Sequence, residues 1–310
     1  MTLREPPKER RAANIVGRFV GLLVLLAVFA VVIWATATNQ QAAAIQRSDP
    51  SIHAPGRHVA VPGAVLHVRT VGEGTDTLLV HYDTVAGGVP LIGIAEELAS
   101  TGRRVTVPDL EGFGFSSRPD EPGRRLSTTG HAETLASLLE ESGLVDLEVV
   151  GFGWGGEVAT ELAVIRPDLV GRLILVDTSA LPVPDGEWHS FEGMPLGLGE
   201  AAAYTFSGAS PRAESRFVAE CPSWADCQGA ETLEAYRLAA SVPGTARGIW
   251  ARRATDPALV ALSRLDEVDA AVTVIAVDIS TSDAEALAQQ FPEAEAAPVQ
   301  PGGLVEAVTG

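Results

Sequence analysis

Val149-Val150-Gly151-Phe152-Gly153-Trp154-Gly155-Gly156 packs four glycines into six positions between two apolar segments. A short apolar run at 147–150 leads into it and a helix-periodic run at 155–165 leaves it, so a buried strand turns sharply into a helix through closely spaced glycines. Outward from this turn the same alternation repeats. Strands are predicted at 64–71, 78–82, 104–107, 173–176 and 271–277, and helices at 89–100, 128–142 and 284–291. Strands alternating with helices of this length imply an α/β architecture, a mostly parallel sheet with helices on both faces. Between about 181 and 269 the alternation lapses into Pro, Gly and Trp with scattered helical stretches such as 232–241, which reads as an insertion into the α/β core. No internal repeat is visible.

The N-terminal part is of another kind. Residues 1–18 carry Arg4, Lys8, Arg10, Arg11 and Arg18 against Glu5 and Glu9, a net charge of +3, and residues 19–38 carry no charge. The whole chain stands at −18, which leaves −21 on residues 39–310. A body that acidic is repelled by phosphate backbones, so no nucleic-acid partner is expected. The uncharged run FVGLLVLLAVFAVVIWATA from Phe19 to Ala37 approaches the ~20 residues that a helix needs to span a bilayer. Basic residues before it and few after it put the N-terminus in the cytoplasm and the body outside. A cleaved signal peptide is the competing reading, with Ala35-Thr36-Ala37 and Ala42-Ala43-Ala44 as A-x-A sites, but the apolar run exceeds the ~7–15 residues usual for a signal. The expected organisation is a cytoplasmic basic segment 1–18, a transmembrane helix 19–38 held by the lipid bilayer, a polar tether 39–60 broken by Pro50 and Pro55, and a domain 61–310 with its insertion at 181–269. One lysine against 21 arginines suggests a GC-rich bacterial source.

A second motif follows the strand predicted at 104–107: Pro108-Asp109-Leu110-Glu111-Gly112-Phe113-Gly114-Phe115-Ser116-Ser117-Arg118-Pro119. It resembles the D-x-x-G-x-G-x-S-x-x-P loop after the fourth strand of α/β-hydrolases, and the turn at 151–156 resembles that family's nucleophile elbow, G-x-S-x-G-G. The resemblance covers roughly residues 58 to 310, with the insertion in the place of the family's cap. It implies a serine at the centre of the elbow, a base histidine after the last strand, an H-G oxyanion turn after the third strand and an acid near the C-terminal strands. At the serine position this chain has Gly153, which keeps the turn and deletes the nucleophile, while Gly151 and Gly155 let strand and helix approach.

The rest of the machinery is also altered. The six histidines are 53, 58, 67, 81, 131 and 189, none beyond the insertion, and Pro301-Gly302-Gly303-Leu304 stands where the base is expected. The oxyanion turn reads His81-Tyr82-Asp83, with tyrosine in place of glycine, and Asp278 and Asp283 are the acids considered. Ser116 and Ser117 read as turn-capping hydroxyls. Nucleophile and base act as a unit worth ~10⁶ in rate, so no catalytic residue is assigned and a pseudoenzyme is expected. His81 beside Asp83 offers a lone general base for a divergent hydrolase or lyase, against the plainer reading of a structural histidine. No metal is expected, for want of paired ligand spacing, and no cofactor.

The degenerate elbow, Gly151, Gly153, Trp154 and Gly155, retains a helix N-terminus that favours an anion. With His81, Tyr82, Asp83 and Trp154 it forms the candidate pocket for a small anionic or amphipathic ligand; the alternative is that Trp154 fills that space. Cys221 and Cys227, the only cysteines, read as a local disulfide in an exported domain. The function expected is ligand binding or protein interaction at the cell envelope. The alternatives are a divergent hydrolase or lyase, and a structural partner of another membrane protein.

Overall fold

A computed structural model describes residues 8–46, 54–119, 123–178, 211–242, 244–245 and 264–310. Helix α1 (Lys8–Gln46) contains Arg18–Ala37, 20 residues of mean hydropathy 2.8, long and apolar enough to cross a membrane. Its Phe19, Leu22, Leu25 and Phe29 are exposed. The helix runs further than the apolar segment: the alanines at 42–44 favour helix, so the first part of the expected tether is helical.

The body is built on strands β1 (Arg57–Val61), β2 (Ala64–Val71), β3 (Thr75–Val80), β4 (Arg103–Pro108), β5 (Leu147–Phe152), β6 (Val170–Val176), β7 (Ala271–Ala276) and β8 (Ala294–Pro298). They form one sheet in the order β1-β2-β4-β3-β5-β6-β7-β8. β1 and β4 flank β2 antiparallel, and every other pairing is parallel. Two strands lie where the sequence predicts none. β1 falls inside the expected tether, because its exposed RHVAV pattern lacks a buried face until Pro62-Gly63, with Gly63 at φ 77, turns it back onto β2. β8, Ala-Glu-Ala-Ala-Pro, has little intrinsic strand preference and pairs with β7 at the sheet edge, the place that tolerates Pro298.

Helices α2 (Ile92–Ser100), α3 (Thr128–Glu141), α4 (Trp154–Ile165), α7 (Thr281–Ala288) and α8 (Leu304–Thr309) cover the sheet. The 89–100 prediction divides into a 3₁₀ turn at Val89–Leu91, with Pro90 in it, and α2 proper. Ser127 caps α3, its hydroxyl accepting from the Gly130 N–H at 3.2 Å. Period-two alternation divides the buried residues between the faces. Val149, Leu173, Leu175 and Val274 meet Leu135, Leu139, Leu162 and Leu287 on the α3–α4–α7 side. Val150, Ile174, Val176 and Ile275 meet Leu91, Leu98, Leu304 and Val308 on the α2–α8 side. Each such aliphatic side chain contributes about 1.5–3 kcal/mol by burial. Of the expected insertion, the described residues include α5 (Pro211–Ala219) and α6 (Ala230–Ser241), and α1 touches α6. Because β3 to β7 run parallel, their C-terminal ends deliver His81, Asp109, Gly153, Asp177 and Val277 to one rim of the sheet.

Candidate functional site

Gly153 joins β5 to α4 with φ 52 and ψ −122, a conformation that side-chain-bearing residues rarely adopt and glycine adopts freely. Its N–H donates to the Val176 carbonyl at 2.8 Å, tying the turn to β6. A methyl group at Gly151 would run into Gly156, one at Gly155 into the Val80 and His81 carbonyls, and one at Gly156 into the Thr178 hydroxyl. At Gly153 the situation differs: a Cβ would meet only Tyr82 Cβ, at 3.4 Å, an ordinary contact. The outer glycines are therefore dictated by packing, whereas the central one leaves room for a side chain that the sequence omits.

The aromatic residues beside the turn separate into two groups. Trp154 faces the α3 side, its ring edge-on to His131 at 5.2 Å and tilted against Phe113 at 5.9 Å. Tyr82 faces the opposite side, its ring perpendicular to that of Trp224 at 5.4 Å and its hydroxyl donating to Cys227 Sγ at 3.6 Å. Burial pushes the Tyr82 phenol well above its ordinary pKa. Of the sequence-predicted pocket, Tyr82 and Trp154 thus flank Gly153 from different packing groups. Asp83 is half-buried next to Tyr82.

His81 is fully buried with both nitrogens engaged: Nδ1–H donates to the Tyr82 carbonyl at 2.7 Å and Nε2 accepts from the Leu110 N–H at 3.0 Å. Burial holds its imidazole below the ordinary range, against the opposing charge of Asp109. A neutral ring with its acceptor lone pair already used has nothing to offer as a general base. His67 donates from Nδ1 to Asp109 at 2.9 Å and from Nε2 to the Pro55 carbonyl at 2.8 Å. Histidines 53 and 189 lie outside the described residues.

The loop after β4 is a scaffold. Buried Asp109 accepts from the Gly88 N–H at 2.7 Å, the Phe115 N–H at 2.8 Å and His67. Burial alone would raise its carboxyl, but the His67 hydrogen bond and charge, with the Phe115 amide, hold it below the usual carboxylate range. Ser116 Oγ donates to the Asp109 carbonyl and accepts from the His67 N–H at 2.9 Å; Ser117 Oγ accepts from the Val65 N–H at 3.0 Å. Both hydroxyls are committed to backbone. Arg118, its guanidinium pulled down to about 9 by burial, donates to the Gly114 carbonyl at 2.7 Å and the Thr245 hydroxyl at 2.6 Å, bracing this loop against the insertion.

Asp177, which the sequence reading passed over, follows β6 at φ 49. Its Oδ1 accepts from the N–H groups of Val277 at 2.7 Å, Asp278 at 3.0 Å and Ile279 at 3.3 Å; its Oδ2 accepts from Trp224 Nε1 at 2.7 Å. The signal was available: an aspartate directly after the apolar run Leu173–Val176 that ends β6, on the neighbour of the elbow strand and in the order of acid after elbow that the hydrolase triad follows. Asp278 instead accepts from the Ser223 N–H at 2.7 Å, and Asp283 sits in the first turn of α7 beside the capping Ser280.

Cys221 and Cys227 are bonded. The loop that they close holds Trp224, 8% exposed, against Phe152 at a ring distance of 4.8 Å. Asp226 ends the loop and starts α6, accepting from the Gly229 N–H at 2.9 Å and from the Thr232 hydroxyl at 3.2 Å. These bonds, with that from Gly229 the largest, lower the Asp226 carboxyl. Among the described residues no cluster of three His, Cys, Asp or Glu side chains is placed to hold a metal.

Residues 85–289 match the alpha/beta hydrolase fold family. The chain is 31% identical over 157 residues to a 2-hydroxymuconate semialdehyde hydrolase of Pseudomonas putida, covering 51% of this chain and 52% of that protein. It is 36% identical over 155 residues to a pimeloyl-[acyl-carrier protein] methyl ester esterase of Chromobacterium violaceum, covering 50% and 56%. The chain thus spans about half the length of the curated relatives it matches. A meta-cleavage product hydrolase from Pseudomonas fluorescens superposes with a TM-score of 0.61 at 16% identity, over 82% of this chain and 93% of that one. An epoxide hydrolase from Vigna radiata superposes at 0.57 and 19%, over 82% and 93%. Sheet order, elbow and family match agree: the chain belongs to the alpha/beta hydrolase fold family.

Proposed function

We propose that this chain is a membrane-anchored, extracytoplasmic member of its family that has exchanged hydrolysis for binding, of a small anionic or amphipathic ligand or of a protein partner. The observation that carries the reading is the pairing of Gly153 at the elbow with an Asp177 whose outward oxygen is taken by the Trp224 indole. A serine hydrolase needs a nucleophile and a base that the acid orients; here the first position has no side chain and the acid's free lone pair serves a residue that cannot accept a proton. For the anchor, the support is the exposed apolar surface of α1 at Phe19, Leu25 and Phe29, which water would penalise, and the basic flank ahead of it.

Turnover of short p-nitrophenyl esters by the purified chain is the first test. A rate at the buffer level is expected, and a rate well above it that survives mutation of exposed serines would sink the reading. Titration of oxidised and of dithiol-reduced protein with small carboxylic acids, followed by melting temperature, separates the two binding modes: a shift in either supports a ligand, and none in both favours a protein partner. Fractionation supports the anchor if the intact chain resists alkaline extraction, whereas a soluble, N-terminally shortened protein would show a cleaved signal. A second reading, hydrolysis of ester-like or carbonyl substrates, is favoured by the names of the relatives, and the ester assay addresses it directly.

A further inference from the structure

We propose that the disulfide-closed loop 221–227 is a redox-released plug, in which Trp224 occupies the chain's own pocket until reduction of the bond lets it leave. The inference deepens the binding reading by naming what guards the site. The indole sits among residues from the C-terminal ends of separate strands: Tyr82 after β3, Phe152 at the end of β5 and Asp177 after β6. Three further hooks fix the loop to the same rim. Tyr82 donates its hydroxyl to Cys227 Sγ at 3.6 Å, the Ser223 N–H donates to Asp278 at 2.7 Å, and the Asp226 N–H donates to the Pro90 carbonyl at 3.2 Å. Between α5 and α6 the loop has no helix or strand of its own, and its internal backbone bond is the turn from the Ala225 N–H to the Pro222 carbonyl at 3.1 Å. The covalent closure adds to these hooks by restricting the open states of the loop.

Removing Trp224 would leave the site intact behind it. Asp177 keeps its bonds from the Val277, Asp278 and Ile279 N–H groups and so remains positioned without the indole. The space released lies against Tyr82, Phe152 and Asp177, at the C-terminal ends of β3, β5 and β6. The chemistry is a two-electron exchange with an external dithiol. Cys221 is partly exposed and Cys227 is buried, so the attacking thiolate reaches Cys221 Sγ, a mixed disulfide forms there, and Cys227 leaves as thiolate and takes up a proton. The second thiol of the reductant then closes its own disulfide and releases Cys221 as a thiol.

For a closed loop of this length the chain-entropy relation gives a rise of about 50-fold in the open population once the bond is gone. Amide hydrogen exchange on the full chain in micelles, comparing wild type with Cys221→Ser/Cys227→Ser and with dithiol-reduced protein, reads this directly. The expected result is exchange about 50-fold faster at Ser223, Ala225 and Asp226, with rates in β5 and β6 unchanged. Loop rates that stay the same would overturn the plug, showing that packing alone holds Trp224. Equal acceleration of the loop and of β5 and β6 would overturn it too, since the bond would then stabilise the whole domain. Either failure is separable from failure of the binding reading, which ester turnover by the dithiol-reduced protein decides.

Discussion

The two flanks of Gly153 tell different stories. On the helix side, Gly151, Gly155 and Gly156 stand where any side chain would collide with backbone or with Thr178, and the turn is kept in the form that a nucleophile elbow requires. On the acid side, Asp177 is also kept, yet its oxygen is given to an indole from the insertion. What is retained is what the fold needs in order to close; what is rewritten is what only the chemistry needed. The contrast separates residues fixed by packing from residues that packing leaves open to change.

The contrast can be broken first at its rigid side. Gly155→Ala drives a methyl into two carbonyls of the β3 end and is expected to cost about 3 kcal/mol in urea unfolding; a cost under 1 kcal/mol would mean that the elbow is softer than described. Asp177→Ala strands the N–H groups of residues 277–279 and the indole, with an expected loss of about 2 kcal/mol, while Asp177→Asn, which keeps one acceptor oxygen, loses less. The supporting loop should show itself in acid. The folded Asp109 carboxyl titrates below its unfolded value, so its contribution is complete above about pH 4 and is lost as pH falls through the lower folded value. Asp109→Asn should flatten that part of the stability–pH curve. The smallest effect belongs to the centre: Gly153→Ser meets only Tyr82 at 3.4 Å and bears the conformational cost of φ 52, about 1 kcal/mol, and it restores no esterase activity because His81 has no free lone pair.

The core strands and the turn were legible because their residues obey one rule at a time: short, mostly apolar runs for parallel strands, and glycine where nothing else fits. The 104–107 and 173–176 predictions fell inside β4 and β6, and the helix predicted at 128–142 matches α3 to within one residue. β1 and β8 were illegible for the opposite reason, since both are edge strands whose exposed Arg57, His58 and Glu295 hide the alternation. The candidate site was half legible. Gly153, His81 and Cys221 with Cys227 could be read from motif and count, whereas the use of Asp177 by Trp224 joins positions 47 residues apart, which local sequence does not reveal. Trp154 drew attention as the pocket aromatic because it adjoins the turn, but α4 directs it toward His131 and Phe113, and the aromatic beside Tyr82 comes from the disulfide loop.

The binding reading requires that the elbow stand without an activated nucleophile. Intact-mass spectrometry after exposure of the purified protein to a fluorophosphonate that labels activated serines tests it most directly. An unmodified mass is expected at reagent levels that label a competent serine hydrolase to completion. One adduct per chain, lost on heat denaturation before labelling, would contradict it.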